Sequence, residues 1–214
     1  MLEQKLIVNR LINLSLINKP VLPYTHGSFV TVATQNYHLC ESTGFHTKSS
    51  LIQAGTHPKS HRNFRWLPWL PGAISETTLQ EMDVLTGPMS GCWLVKYRNP
   101  NGVLCVGHLG TDIANPLSTQ AVNNTWNNFA RSNPSAVVGG FNPLRHWEGE
   151  FPVRRSNEPA THPKIFGLFT TSNTYYVVVA YPQVNPITML RIAGVQQVKS
   201  SLMSRLQHID LPGV

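Results

Sequence analysis

The stretch that most constrains the fold is residues 99–102, Asn-Pro-Asn-Gly, which separate two apolar runs at 93–98 and 103–109. Proline at the second turn position and glycine at a left-handed position predict a type I turn followed by a G1 bulge. A three-residue loop of this kind joins two antiparallel strands and sets Asn99 opposite Val103. The sequence therefore predicts a β-hairpin with a defined register.

This register decides which side chains share a face of the sheet. His108 faces Leu94, and Cys92 lies diagonally beside His108 on the same face. Diagonal neighbours are about 7 to 8 Å apart at the backbone, which is within reach of a long side chain. Cys105 points to the opposite face, so we expect it to be a core residue.

A thiol becomes a nucleophile near neutral pH when a base removes its proton, and an imidazole on a neighbouring strand is such a base. We therefore predict an active site formed by Cys92 and His108. Ser90 and Gly91 form a small-residue elbow directly before the cysteine, where backbone N–H groups can face the oxyanion of an acyl transfer. A third group must orient His108, and Thr86 is the candidate, through its carbonyl or its hydroxyl.

Elsewhere the chain alternates between helical and extended patterns. Helical periodicity is found at 2–17, 75–85, 117–130 and 186–208, and strand patterns at 28–39, 64–70, 165–171 and 174–181. Residues 137–163 are rich in glycine, proline, asparagine and charge, which predicts irregular connections that shape a cleft. The length of 214 residues favours one domain, 1–214.

The composition restricts the kinds of partner and cofactor. The chain has 17 basic and 10 acidic residues, a net charge of +7, but the basic residues are scattered, so we expect no direct nucleic-acid binding. No apolar run is long enough to span a membrane, and the first residues lack the pattern of a cleavable signal peptide. We expect a monomer with no membrane partner.

Two further groups of residues are candidates for metal binding or disulfides. The three cysteines include no C-x-x-C pair, and Cys40 is expected to be a structural thiol. His57 and His61 have i, i+4 spacing, but Pro58 disfavours helical geometry at His57, so we predict no metal site. The pair Arg154-Arg155 has no assigned role.

The motif resembles that of the Burkholderia lethal factor-like glutamine deamidase toxins, in the cytotoxic necrotizing factor and chemoreceptor deamidase superfamily. The resemblance covers roughly residues 64–110 and rests on Trp66-Leu-Pro-Trp69, on Ile74-Ser75, on Thr86-x-x-Met89-Ser90-Gly91-Cys92, and on His108. Met89 stands where that family has leucine. By this resemblance Cys92 is the nucleophile, His108 the general base and acid, Thr86 the residue that orients the imidazole, and Gly91 and Ser90 contact the substrate or its oxyanion.

The resemblance implies an α+β fold, a β-sandwich of mixed sheets surrounded by helices and loops. It also implies hydrolysis of a protein glutamine side chain to glutamate through a cysteine thioester, without a metal or organic cofactor. The substrate would be a host protein, such as the RNA helicase of translation initiation, factor 4A. The protein would be made in the bacterial cytoplasm and act in the host cytosol as a virulence toxin that inhibits translation.

Two other functions remain open at this point. A papain-type thiol hydrolase or transglutaminase uses similar chemistry, but those families place the histidine far downstream of the cysteine. A basic protein-binding module would carry Cys92 as an ordinary core thiol.

Overall fold

The structure, a computed structural model, describes residues 2–13, 23–32, 36–43, 48–54, 63–184 and 189–211. It is a mixed α+β fold with two mixed β-sheets and few helices. The strands are β1 (Leu11–Asn13), β2 (Phe29–Thr31), β3 (Asn36–Thr43), β4 (Lys48–Ala54), β5 (Asn63–Leu67), β6 (Ile74–Thr78), β7 (Asp83–Met89), β8 (Trp93–Arg98), β9 (Leu104–Leu109), β10 (Val137–Phe141), β11 (Lys164–Phe169), β12 (Tyr175–Pro182) and β13 (Met189–Val198). The helices are α1 (Pro116–Ser132), α2 (Pro143–His146) and α3 (Met203–Leu206), and 3-10 turns lie at Leu2–Gln4 and Pro134–Ala136.

The strands form two sheets of different shape. The closed sheet has the order β1-β13-β12-β11-β7-β5-β3-β4, and β4 pairs with β1 to close it. The open sheet has the order β10-β8-β9-β6-β2. Both sheets are mixed, because β5 pairs in parallel with β7 and β2 pairs in parallel with β6. The expected sandwich-like α+β fold is confirmed.

Buried side chains form three layers that follow from the alternation of side chains along the strands. Inside the closed sheet lie residues such as Leu85, Phe166 and Val178. Between the two sheets lie Val84, Cys92, Leu94, Val106 and Val177, among others. The outer face of the open sheet packs on α1 and α3 through Trp93, Val95, Tyr97, Cys105, Trp126 and Leu206. Cys92 therefore lies between the sheets and Cys105 lies under the helices.

The predicted hairpin and its register are confirmed. Trp93 pairs with Leu109, Leu94 pairs with His108, and the Asn99 N–H donates to the Val103 carbonyl at 3.0 Å. Gly102 has a φ of +75°, which is the left-handed conformation required by the bulge.

The predicted helix at 75–85 is wrong, since this stretch forms β6 and β7 with a turn between them. Glu81 in the turn has a φ of +61°. The β-branched residues Thr77, Thr78 and Val84 pair with neighbouring strands, Thr77 with Val106 and Val84 with Arg65. Cross-strand pairing therefore outweighs the weak helical pattern that the polar residues had suggested.

The predicted helix at 186–208 is wrong as well, because residues 189–198 form β13. Leu190 and Ile192 point into the closed sheet while Ala193 and Val198 pack in the layer between the sheets. A strand buried on both faces gives a nearly continuous apolar run, which by pattern alone resembles a broad helical face. Within residues 189–208, which the structure describes, only α3, from Met203 to Leu206, is helical.

The predicted N-terminal helix is also wrong within the described residues. A 3-10 turn at Leu2–Gln4 precedes β1, and Asn9 between them has a φ of +70°. Leu2, Leu6 and Ile12 are buried inside the closed sheet, so their periodicity reflects this burial and not a helix. Residues 14–17 of that prediction lie outside the described residues, as do His57 and His61.

Other predictions agree with the structure fully or in part. Helix α1 is present and buries Val122, Trp126 and Ala130, although its N-cap is Asn115 and not Ser118. The strands predicted at 64–70, 165–171 and 174–181 are β5, β11 and β12. The strand pattern at 28–39 corresponds to two strands, β2 and the start of β3, which belong to different sheets. The prediction of irregular structure throughout 137–163 is wrong for β10 and α2 and holds for residues 147–163. No helix in the described part of the chain is long and apolar enough to cross a membrane.

Candidate active site

Thr86 and His108 are brought together from different sheets. Thr86 belongs to β7 of the closed sheet and His108 to β9 of the open sheet, and both are fully buried. Thr86 Oγ1 and His108 Nδ1 lie 2.7 Å apart, which is hydrogen-bond distance. The hydroxyl of Thr86, one of the two groups considered from the sequence, therefore contacts the imidazole.

A glycine allows the two sheets to approach at this point. Gly167 of β11 pairs with Thr86, and Leu94 of β8 pairs with His108. A Cβ atom on Gly167 would lie 2.0 Å from Leu94 Cδ1, so any side chain there would displace Leu94. The Thr86–His108 hydrogen bond thus depends on close packing that only glycine permits at position 167.

The environment of His108 keeps its imidazole neutral. Burial lowers the pKa of His108 to about 3, because a charged ring would lose its hydration. Nε2 is buried and has no hydrogen-bond partner among the described residues. If the Nδ1 proton is donated to Thr86 Oγ1, Nε2 carries the free lone pair of a base.

Cys92 lies at the end of the hairpin, immediately before β8, and its residue is 1% exposed. Its Sγ lies 3.3 Å from Thr111 Oγ1, so in this structure the thiol is hydrogen-bonded to Thr111 and not to His108. Burial raises the pKa of the Cys92 thiol, and hydrogen bonds from the Thr111 hydroxyl and from backbone N–H groups offset part of that increase. Both members of the predicted pair are therefore neutral at pH 7.

Thr111 was not identified from the sequence. The hairpin register places position 110 opposite Cys92, so extending it by two residues past β9 would have put Thr111 opposite Gly91 and next to the thiol. Trp69 donates from Nε1 to the Thr111 carbonyl at 3.1 Å and holds this residue in place.

The elbow before Cys92 is held by a second residue that the sequence did not indicate. Gly91 has a φ of +88°, a conformation that favours glycine, and Asn142 Nδ2 donates to the Gly91 carbonyl at 3.0 Å. Asn142 also caps α2 by accepting from the Arg145 N–H. Gly91 is buried and Ser90 is exposed, so Ser90 is the member of the elbow that solvent reaches.

Cys92 lines the floor of a cleft of about 750 Å³. The walls are residues 88–90, 111–114 and 160–164, together with Trp69. The irregular stretch predicted to shape a cleft does so at 160–163. A volume of this size accommodates a side chain and several neighbouring residues of a bound polypeptide.

Other titratable residues have structural contacts. His146 hydrogen-bonds through Nε2 to Ser201 Oγ, and Arg154 donates to the Glu158 carbonyl. Arg155 donates to Asn9 Oδ1. Cys40 lies in β3, and no group of three or more potential metal ligands occurs in the described ranges.

No protein-family model matches the chain, and no curated protein matches it significantly. The functional interpretation therefore rests on the geometry of the site and on the resemblance of its motif.

Proposed function

We propose that this protein is a cysteine-dependent glutamine deamidase that converts a glutamine side chain of a protein substrate to glutamate. The observation that carries the proposal is the hydrogen bond of Thr86 to His108 Nδ1, on the face of the hairpin that also presents Cys92 to the cleft. A thiol, an imidazole with an unpartnered nitrogen and a residue that orients it form the constellation required for acyl transfer.

The first half-reaction forms a thioester and releases ammonia. The Cys92 thiol turns from Thr111 towards His108 Nε2 and gives up its proton, while Sγ forms a bond to the amide carbon of glutamine. Backbone N–H groups of the Gly91-Cys92 elbow stabilise the oxyanion of the tetrahedral intermediate. His108 then returns the proton to the amide nitrogen, the C–N bond breaks, and ammonia leaves.

The second half-reaction consumes water. His108 Nε2 takes a proton from a water molecule whose oxygen attacks the thioester carbon. The Sγ–C bond breaks, the sulfur recovers the proton from His108, and the product is glutamic acid, which ionises at neutral pH. The net change replaces an amide by a carboxylate, so the substrate loses a hydrogen-bond donor and gains a negative charge.

The burial of Cys92 favours a side-chain amide over a backbone amide as the substrate. With only 1% of the residue exposed, Sγ is reached from the cleft by a narrow group. A glutamine side chain carries its amide on two methylene groups and extends about 4 Å from its own Cα. A peptide bond is flanked by two chain segments, so its carbonyl carbon reaches a buried Sγ less readily. This difference argues against a protease.

Ammonia release from proteins tests this proposal. We expect the purified protein to release ammonia from a eukaryotic cell lysate, and Cys92→Ser and His108→Asn to abolish the release. Cys105→Ser, which alters a buried thiol on the other face of the open sheet, is the matched control and retains activity. New peptide N-termini in place of ammonia would indicate a protease, and no reaction at all would indicate a binding module.

The motif resemblance extends the proposal to the biological target. On that basis the substrate is a host protein such as translation initiation factor 4A, and the activity is that of a bacterial toxin acting in the host cytosol. Adding the protein to a cell-free eukaryotic translation reaction tests this point. We expect inhibition that requires Cys92 and is relieved by fresh unmodified factor 4A.

A further inference from the structure

The cleft above Cys92 has an apolar side and a cationic side. Trp69 and Ile113 line it and are 44% and 65% exposed, and Pro88 and Met89 also belong to its lining. Exposed Lys164 and His162 lie on the wall formed by residues 160–164. Large exposed apolar side chains next to a reactive group indicate contact with a ligand.

The apolar side is held in a fixed position by hydrogen bonds. The Trp69 indole donates to the Thr111 carbonyl, which places the ring next to the residue that contacts Cys92. Ile113 lies in a turn where Asp112 Oδ1 accepts from the Ala114 N–H and Asp112 Oδ2 accepts from Ser118 Oγ. Both side chains are thus exposed from backbone segments that hydrogen bonds hold in place.

The wall formed by residues 160–164 follows a buried ion pair in the chain. Glu158 is 3% exposed and contacts Arg191 of β13 through both carboxylate oxygens. Six residues later, Lys164 begins β11, where the next residue, Ile165, pairs with Met89. The antiparallel register therefore places Lys164 at the level of Ser90, close to the elbow that carries Cys92.

The charge of Lys164 is available to a ligand. Within the described ranges no carboxylate forms an ion pair with Lys164, and Asp112, the acidic residue of the cleft lining, is engaged with Ser118 and Ala114. An acidic group of a substrate would be attracted to this lysine and to the net charge of +7.

From this arrangement we infer the substrate class of the cleft: a glutamine in an exposed segment that carries a large apolar residue on one side and an acidic residue on the other. The apolar residue packs on Trp69 and Ile113, and the acidic residue contacts Lys164. This inference rests on the proposed deamidase function and specifies which glutamines that function selects.

A set of short peptides tests the inference. Each contains one glutamine flanked by leucine and aspartate, in both orders, and the comparison peptides replace leucine by serine or aspartate by lysine. We expect ammonia release with the highest kcat/KM for one order of the leucine–aspartate peptides, and a loss of about tenfold when leucine is replaced by serine, because apolar contact with the substrate is lost.

Variants of the cleft assign each preference to its residue. Lys164→Glu should invert the charge preference, lowering kcat/KM for the aspartate peptide roughly threefold to tenfold and raising that for the lysine peptide. Ile113→Ser should bring the ratio of kcat/KM for the leucine peptide to kcat/KM for the serine peptide closer to one. Trp69→Phe keeps an aromatic ring but removes the indole N–H, so it separates the contributions of these two groups. Lys199→Glu and Leu117→Ser, at exposed positions that do not line the cleft, are the matched controls and should leave both ratios unchanged.

The outcomes separate this inference from the proposed function. Equal ammonia release from all peptides, or an unchanged charge preference in Lys164→Glu, would overturn the inference while the deamidase function stands. Deamidation of lysate proteins but of none of the peptides would also overturn it. No ammonia from peptides or from lysate would overturn the proposed function, and the inference with it.

Discussion

The Thr86 hydroxyl and the His108 imidazole, 2.7 Å apart, join the closed sheet to the open sheet inside the core. Neither residue is accessible to solvent. The same hydrogen bond therefore contributes to the packing of the two sheets and sets the direction in which His108 Nε2 points. Stability and activity should consequently respond together to changes at Thr86.

Replacing Thr86 by valine should lower both the stability of the protein and its activity. The variant leaves Nδ1 of a buried imidazole without a partner, which costs about 1 to 3 kcal/mol of unfolding free energy. We also expect ammonia release to fall about a hundredfold, because the ring loses its orientation. Thr86→Ser, which keeps the hydroxyl, should recover most of the unfolding free energy and most of the ammonia release.

Thr77→Val is the control for this experiment. Thr77 is also buried in a strand, but its Oγ1 has no partner among the described residues, so valine should be neutral or stabilising there. Urea unfolding measures the stability of each variant. An equal loss of stability in Thr77→Val and Thr86→Val would show that the hydrogen bond is not the cause.

His108 should make stability depend on pH between 6.5 and 4.5. Burial lowers its pKa from 6.5 to about 3, so in this range the unfolded chain binds a proton that the folded protein does not. Stability is therefore lost as the pH falls below 6.5, with a slope of up to about 1.4 kcal/mol per pH unit.

Urea unfolding at several pH values measures that slope, which His108→Gln should reduce. Burial also lowers the pKa of His146, so a smaller slope of the same sign should remain. His162→Gln, at an exposed histidine, should keep the slope of the unmodified protein. Glu158 does not interfere: although burial alone would raise its pKa, hydrogen bonds from Arg191, the Arg155 N–H and Gln183 lower it to about 2. Its contribution is lost only as the pH falls below 4.5. An unchanged slope in His108→Gln would contradict the buried neutral imidazole.

Thr111 should control the reactivity of the Cys92 thiol. Its hydroxyl opposes the increase in pKa that burial causes, so Thr111→Val should slow alkylation by iodoacetamide about fivefold at pH 8, and Thr111→Ser should restore the rate. Peptide mass spectrometry quantifies each cysteine separately. Cys105 is the internal control, since burial raises its pKa to about 11 and it does not contact Thr111. Equal rates for the valine and serine variants would refute this role.

The pair Glu158–Arg191 should be sensitive to the loss of one partner. Glu158→Gln leaves a buried guanidinium without its counter-charge and should cost about 3 to 5 kcal/mol of unfolding free energy. The double variant Glu158→Leu with Arg191→Met removes both charges and should recover most of that loss. Urea unfolding of the single and double variants checks this. A double variant as unstable as Glu158→Gln would show that the cleft wall formed by residues 160–164 depends on geometry supplied by the ion pair.

Local sequence determined the part of the site that lies on the hairpin. The turn at 99–102 fixes the register, and the register alone puts His108 and Leu94 opposite each other and Cys105 on the other face. This information is local, because the two strands are adjacent in the chain and a single turn sets their alignment.

Long-range contacts determined the parts of the site that lie outside the hairpin. The Asn142 bond to Gly91 and the role of Gly167 depend on how separate strands pack, which no short pattern encodes. The same reason explains the misassigned helices: strands buried on both faces, such as β13, lack the alternation that distinguishes a strand from a helix. Neighbouring strands decide their conformation, and those neighbours are distant in sequence.

The central claim is that Cys92 hydrolyses a glutamine side chain through a thioester. The most direct measurement is mass spectrometry of a eukaryotic lysate treated with the protein in water labelled with oxygen-18. The claim predicts that a glutamine of a host protein gains about 3 Da, the mark of one water-derived oxygen replacing the amide nitrogen, and that Cys92→Ser produces no such change. Labelled glutamate formed equally by Cys92→Ser, or glutamines joined to amines without incorporated oxygen, would contradict it.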